Sequence, residues 1–267
     1  MREVSVLASA LVADIDFSGA PHLLRGLRRA DPFIQLATLA AYRVLEESAI
    51  MDQCQPAEVG IYLGTTTGPL QTNFDFLDTL FDDGEGQASP TLFSHAVHNA
   101  AAGYVSRLFK LQGMAQTITL NGWPFLAALL EAKAALASGA LSHAVVLGVE
   151  ESCPLLDEAA GRLAGVQPRL PQRGAVAWLL AGGDQAGPLL GEIVVDEVYS
   201  GEEHLLLRHQ ETFSATLDLP LLPPGPLAPC FSVTHALQAI AAGSGQGSWQ
   251  AEAPFGRARC TFGPKKQ

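Results

Sequence analysis

Charge is scarce in this chain. Only 16% of its 267 residues are Asp, Glu, Lys or Arg, and cations are the scarcer sign, 16 against 27, so the net charge is −11 and the pI about 5.0. No basic stripe exists to neutralise phosphates, which argues against nucleic-acid binding. Disorder needs low hydrophobicity and high charge, and 48% hydrophobic content excludes it. Long apolar runs are missing too: the most apolar stretch, Ala140 to Val149, is too short to span a bilayer and contains His143. Arg2, Glu3, Asp14 and Asp16 break up any apolar export segment at the start. Cysteine is limited to Cys54, Cys153, Cys230 and Cys260, with no CxxC pair, so neither a zinc ribbon nor a redox motif is expected. The expectation is a cytoplasmic protein without metal or cofactor. Its apolar character points to surface hidden in a partner.

What is present alternates between strand and helix patterns. Val4 to Val12 reads as a strand. Asp31 is placed to cap a helix opened by Pro32, with Phe33, Leu36, Leu39, Ala40, Val44 and Leu45 recurring at helical spacing to Ser48. Val59 to Leu63 reads as a buried strand running into the turn Gly64 to Pro69. Asp75 to Gly86 is acidic and aromatic-rich, with Phe74, Phe76 and Phe81 at mixed spacing, and Ser94 to Phe109 reads as one helix. Gln116 to Leu120 predicts a strand, Asn121-Gly122 a turn, Pro124 to Ser138 a helix ended by Gly139, and Ala144 to Val149 a strand buried on both faces. Gly174 to Ala181 and Gly191 to Tyr199 predict two more strands. Residues 203–252, with five prolines between Pro220 and Pro229, read as a Pro/Gly-rich connector carrying a short helix, Thr234 to Ala242. A terminal strand, Arg257 to Phe262, falls within 253–267.

Several segments, in order, carry a family likeness. Arg29 to Ala37 followed by Val44 to Ser48, Val59 to Gly68, His98 to Ser106, Thr117 to Gly122 with the helix after it, Ser138 to Glu151, and Arg173 to Leu180 resemble the N-terminal half of β-ketoacyl synthases, the condensing enzymes of the thiolase fold. The resemblance implies a single α/β domain over 1–267: a thiolase-like half with a mostly parallel five-stranded sheet and helices on both faces.

Two departures bear on function. Family members place a cysteine on the sharp strand-to-helix turn, where the helix N-terminus lowers the thiol pKa. The matching position here is Gly122, between Asn121 and Trp123, and no Cys, Ser or Thr lies between Asn121 and Glu131. A glycine cannot form an acyl-enzyme. The family's second half, with its two catalytic histidines, is also missing: the connector stands in its place, and Ser232 to His235 only faintly resembles a histidine-bearing segment. The resemblance therefore implies a catalytically silent subunit like the chain-length factors of type II polyketide systems, most like the small subunit of aryl polyene clusters. Its partner would be an active β-ketoacyl-ACP synthase, with acyl carrier protein engaged indirectly. The strand Gln116, Thr117, Ile118, Thr119 and Leu120, with His98 and Asn99, would form the interface. Phe74, Phe76, Phe81 and Phe93 would shape the partner's acyl tunnel.

Two other readings are weighed beside it. One is a stand-alone acyltransferase or thioesterase using Cys153 or Cys230 with His98 or His235. The other is a homodimeric scaffold, against which the −11 charge counts, because carrier proteins are themselves acidic. His95 and His98, three residues apart, lack a third ligand at metal-binding spacing and read as packing residues.

Overall fold

A computed structural model describes residues 2–82, 84–151, 153–155, 158, 173–183, 185–197, 211–219, 227–243 and 245–266. The elements run β1 (Val4–Val12), α1 (Pro32–Ser48), β2 (Val59–Thr65), α2 (Leu70–Phe81), α3 (Pro90–His95), α4 (Ala100–Phe109), β3 (Ala115–Thr119), α5 (Pro124–Ser138), β4 (His143–Glu150), β5 (Gly174–Gly182), β6 (Gly187–Glu197), β7 (Thr212–Ala215), α6 (Ala228–Ala242), β8 (Gly247–Ala253) and β9 (Gly256–Lys266).

The α/β class with helices on both faces is as expected, but the strand count and directions are not. Nine strands among the described residues form one sheet in the order β3-β2-β4-β5-β1-β6-β9-β8-β7. Only β2 with β3 and β2 with β4 pair in parallel; the remaining pairs are antiparallel. The unbroken apolar runs of β4 and β5 reflect burial on both faces, which helices impose whatever the strand direction. The stretch 203–252 contributes β7, α6 and β8 to the fold; 198–210 and 220–226 lie outside the described residues.

Local chemistry sets the helix ends. Asp31 accepts a hydrogen bond from the Ile34 N–H at 2.8 Å, capping α1 with Pro32 in its first turn. Gly139, at φ +81°, closes α5 in the left-handed conformation. The expected helix from Ser94 to Phe109 is instead two, α3 and α4, separated at Ala96 to Asn99. The aromatic stretch before them holds α2.

Two cores result. One lies between the sheet and α1 with α4, around Phe33, Ile34, Leu63, Leu147 and Leu179. The other gathers α5, α6, the opposite faces of β4 and β5, and the inner faces of β6, β8 and β9. The sheet therefore folds back on itself across α5 and α6. Three buried indoles tie these layers together, each with its N–H satisfied. Trp178 of β5 donates to Thr234 of α6 at 2.9 Å and packs edge-on against Phe125 of α5. Trp249 of β8 donates to Ser232 of α6 at 2.9 Å. Trp123 stands at the head of α5. The outer face of the β6–β9 portion carries charge instead, with Arg257 paired to Asp196 at 3.4 Å and Arg259 to Glu192.

The central strand β1 serves both cores. Val4 and Val6 belong to the second, while Ala8, Ala10 and Val12 belong to the first. Residues of equal parity change faces because the pairing with β5 slips between Val6 and Ala8, a bulge that spends one residue.

Close approach of β2 to α5 gives a stability test. A Cβ on Gly64 would lie within 2.6 Å of backbone atoms of Pro124 and Phe125, whereas one on Gly103, exposed in α4, meets nothing within 4 Å. Gly64→Ala should lose about 1–3 kcal/mol to overpacking. Gly103→Ala should gain roughly 0.5–1 kcal/mol from helix propensity. Urea unfolding of both variants measures the contrast.

Candidate functional site

The chain turns sharply at Asn121-Gly122 from β3 into α5, the position at which a nucleophile was expected to be missing. Gly122 is buried, and the carboxylate of Glu197, the last residue of β6, fills the space in front of it. A Cβ on Gly122 would fall within 2.6 Å of all three carboxyl atoms of Glu197. The Trp123 N–H donates to Glu197 Oε1 at 2.7 Å, and the Trp123 indole N–H donates to Glu211 Oε1 at 2.6 Å. Trp123 also packs on Phe255, ring centroids 5.1 Å apart. Two carboxylates thus converge on the amino end of a buried helix, where unsatisfied N–H groups and the positive end of the dipole favour negative charge.

Little room remains beside this turn. A cavity of about 10 Å³, walled by Trp123, Phe125, Gly64, Gly148, Glu150 and Cys230, holds no more than a water molecule. Glu150, itself buried at the end of β4, accepts from the Thr66 and Thr67 N–H groups and from the Thr65 and Thr67 hydroxyls, and so fixes the turn after β2. Neither this carboxylate nor Glu197 nor Glu211 was singled out from sequence. The one available signal for Glu197 was the glycine at 122, since a missing Cβ permits close approach.

Of the residues expected to form an interface, Gln116 to Thr119 lie in the strand at the rim of the sheet. β3 is an edge strand, paired with β2 alone among the described residues. The Ile61 N–H donates to the Met114 carbonyl and the Leu120 N–H to the Thr65 carbonyl. By alternation, Met114, Gln116, Ile118 and Leu120 face β2, while Ala115, Thr117 and Thr119 present their backbone groups outward. His98 and Asn99 are exposed at the start of α4, with the His98 ring against the Gly68 turn. Phe76 of α2 packs on Phe93 of α3 at 5.5 Å, Phe74 is half-buried, and Phe81 and Phe93 remain 79% and 61% exposed.

The thiols are placed otherwise. Cys153 and Cys230 are buried, and the Cys230 thiol donates to the Leu227 carbonyl at 3.1 Å. His95 is buried against the Tyr104 hydroxyl at 2.9 Å, a packing role. A pair that sequence reasoning missed is Cys54 with His143, 3.1 Å apart. Burial, and then Glu58, raises the Cys54 pKa, while burial lowers that of His143, so the resting pair is neutral thiol and neutral imidazole rather than an activated thiolate. Among the described residues no group of three or more His, Cys, Asp or Glu is arranged to hold a metal, and no helix is long and apolar enough to cross a membrane.

Comparison with known proteins follows the same lines. The family described as beta-ketoacyl synthase, N-terminal domain, matches residues 11–197, more than half of the chain. No curated protein matches it. Similar solved structures include a type II PKS acyl-carrier protein in complex with its ketosynthase bound to the hexaketide (AntDE:AntF), at 19% identity and TM-score 0.64, covering 74% of this chain and 70% of that one. A ketosynthase (ApeO) in complex with its chain length factor (ApeC) from Xenorhabdus doucetiae matches at 15% identity and TM-score 0.59, covering 98% of this chain and all of that one. The ishigamide ketosynthase/chain length factor matches at 19% and 0.54, covering 63% of this chain and 49% of that one. At these identities the likeness is one of fold.

Glu151, next to Glu150, yields a pH prediction. Burial, then Asp31 and Asp75, pushes its pKa from 4.5 up to about 8. Between these values the unfolded chain has lost a proton that the folded chain keeps. Stability from this group is thus full below 4.5 and falls as pH rises through 8. Glu151→Gln should be more thermostable than the parent at pH 8, and the gap should close at pH 5, as measured by thermal melts at both.

Proposed function

Since the chain belongs to the β-ketoacyl synthase N-terminal-domain family, we propose that it is a catalytically silent, chain-length-factor-like subunit that pairs with an active β-ketoacyl-ACP synthase and shapes its acyl tunnel. The observation that carries this reading is the turn at Gly122. It has no side chain to take an acyl group, and an intramolecular carboxylate stands in the volume such a side chain would need. The partner would then supply the cysteine, both histidines and the decarboxylative condensation of carrier-bound thioesters in polyketide- or fatty-acid-type synthesis.

The pairing is proposed at the outer edge of β3, which among the described residues is bonded to β2 alone. Thr117 and Thr119 offer outward N–H and C=O groups to which an incoming strand can bond, extending the sheet across the interface, with His98 and Asn99 at its margin. The exposed rings of Phe81 and Phe93, the latter packed on Phe76, are together with Phe74 the residues proposed to close over the partner's tunnel. Exposed aromatics of this size are costly to leave in water, which is consistent with their being covered in a complex. The alternative, an acyltransferase using Cys153 or Cys230, gains no support from the burial of both thiols.

Co-expression with the ketosynthase from the same gene neighbourhood, followed by light scattering, should give a one-to-one complex. Thr117→Pro or Thr119→Pro removes an outward donor and should reduce complex formation at least tenfold. Undiminished pairing by both proline variants would overturn the strand-pairing part, and a lone homodimer that ignores the ketosynthase would overturn the whole reading.

A further inference from the structure

Loss of the nucleophile does not by itself close a catalytic turn. A glycine at that place in an open site would leave a vacant pocket at a helix N-terminus, ready to take a thioester carbonyl or to regain chemistry by one substitution. Here the vacancy is filled from 75 residues away. Glu197 Oε1 accepts the Trp123 N–H at 2.7 Å, and the carboxyl group lies where a Cβ on residue 122 would stand. Glu211 holds the same tryptophan by its indole at 2.6 Å, and Phe255 packs on the ring. Three segments thus converge on Trp123 beside the turn: the end of β6 on its backbone N–H, and the β8–β9 hairpin turn and the residue before β7 on its indole.

We propose that Glu197 is an internal block of the turn: its carboxylate occupies the seat of the nucleophile and accepts the Trp123 N–H, so that a thiol restored at 122 must first displace the carboxylate before it can react. This rests on the silent-subunit reading and extends it, because silence then has two separate causes, an absent nucleophile and an occupied seat. Removing one leaves the other in force. Glu211 is a positioning residue in this arrangement, acting through Trp123.

The test uses the full chain in complex with its ketosynthase and reads labelling at position 122 by peptide mass mapping, so that Cys54, Cys153, Cys230 and Cys260 do not interfere. Iodoacetamide is the probe: the thiolate sulfur forms a bond to the methylene carbon, iodide leaves, and the thiol proton goes to buffer. Gly122→Cys should label at 122 at least tenfold more slowly than Gly122→Cys with Glu197→Ala. Equal rates, or no labelling of either, would overturn the proposal. Should the single cysteine variant fail to fold, Gly122→Ala gives a second reading. It should lower Tm by about 5 °C, and adding Glu197→Ala should recover at least half of that loss. Additive effects of the two changes would overturn the block. Acylation of the parent chain at Cys153 by a carrier-bound thioester would instead refute the silent-subunit reading while leaving the labelling contrast intact.

Discussion

A helix buried at its first turn has an electrostatic problem at its amino end, and much of this structure answers it. α5 packs on β2 and β4 and reaches β6, with Phe125, Leu126, Leu129, Ala132 and Leu136 all in the core. Its first N–H groups are therefore shielded from water, and leaving them unpaired would cost on the order of 1–3 kcal/mol each. No Ser, Thr or Asp stands at the cap; the residue there is Trp123. The carboxylate of Glu197 supplies the missing acceptor and Glu211 anchors the indole. The demand of α5 thus reaches to the end of β6 and to the start of β7, and helps to determine how the second half of the sheet closes over the helix.

That closure also covers the second core from the side away from α1. The inner faces of β6, β8 and β9 supply Ile193, Trp249, Ala251, Ala258, Cys260 and Phe262 to the second core. The outer faces carry Glu192, Asp196, Arg257 and Arg259 in cross-strand ion pairs. Exposed pairs of this kind add little stability. Their value is that they make this face comfortable in water, so the apolar demand of α5 and α6 is met within the chain.

Much of this was legible in the sequence. Asp31-Pro32 announced α1, Pro124 and Gly139 bracketed α5, and the apolar runs of β4 and β5 were found in place. Direction was not legible, since a strand covered on both faces reads the same whether its neighbours run with it or against it. α2 was hidden because its aromatic residues serve its surface as well as its packing, which blurs the helical period. The strand β8 does alternate, Trp249 and Ala251 inward against Gln250 and Glu252 outward, but it falls in the stretch 203–252 that reads as a Pro/Gly-rich connector. Asn121-Gly122 read as the turn it forms into α5. The Glu197 carboxylate against it was not legible, because contacts across 75 residues leave no local pattern.

The bulge in β1 has a further meaning for how the chain finds its fold. Val4 and Val6 plug one core and Ala8, Ala10 and Val12 the other, with the switch made at a single extra residue. A register error in an ordinary half-buried strand is punished on one side only. In β1 a slip by one would expose apolar side chains to the wrong environment in two places at once, and would also misalign β5 and β6, its neighbours on either hand. The strand behaves as a key cut on both edges: it turns only when both sets of teeth fit, so correct assembly of each layer certifies the other.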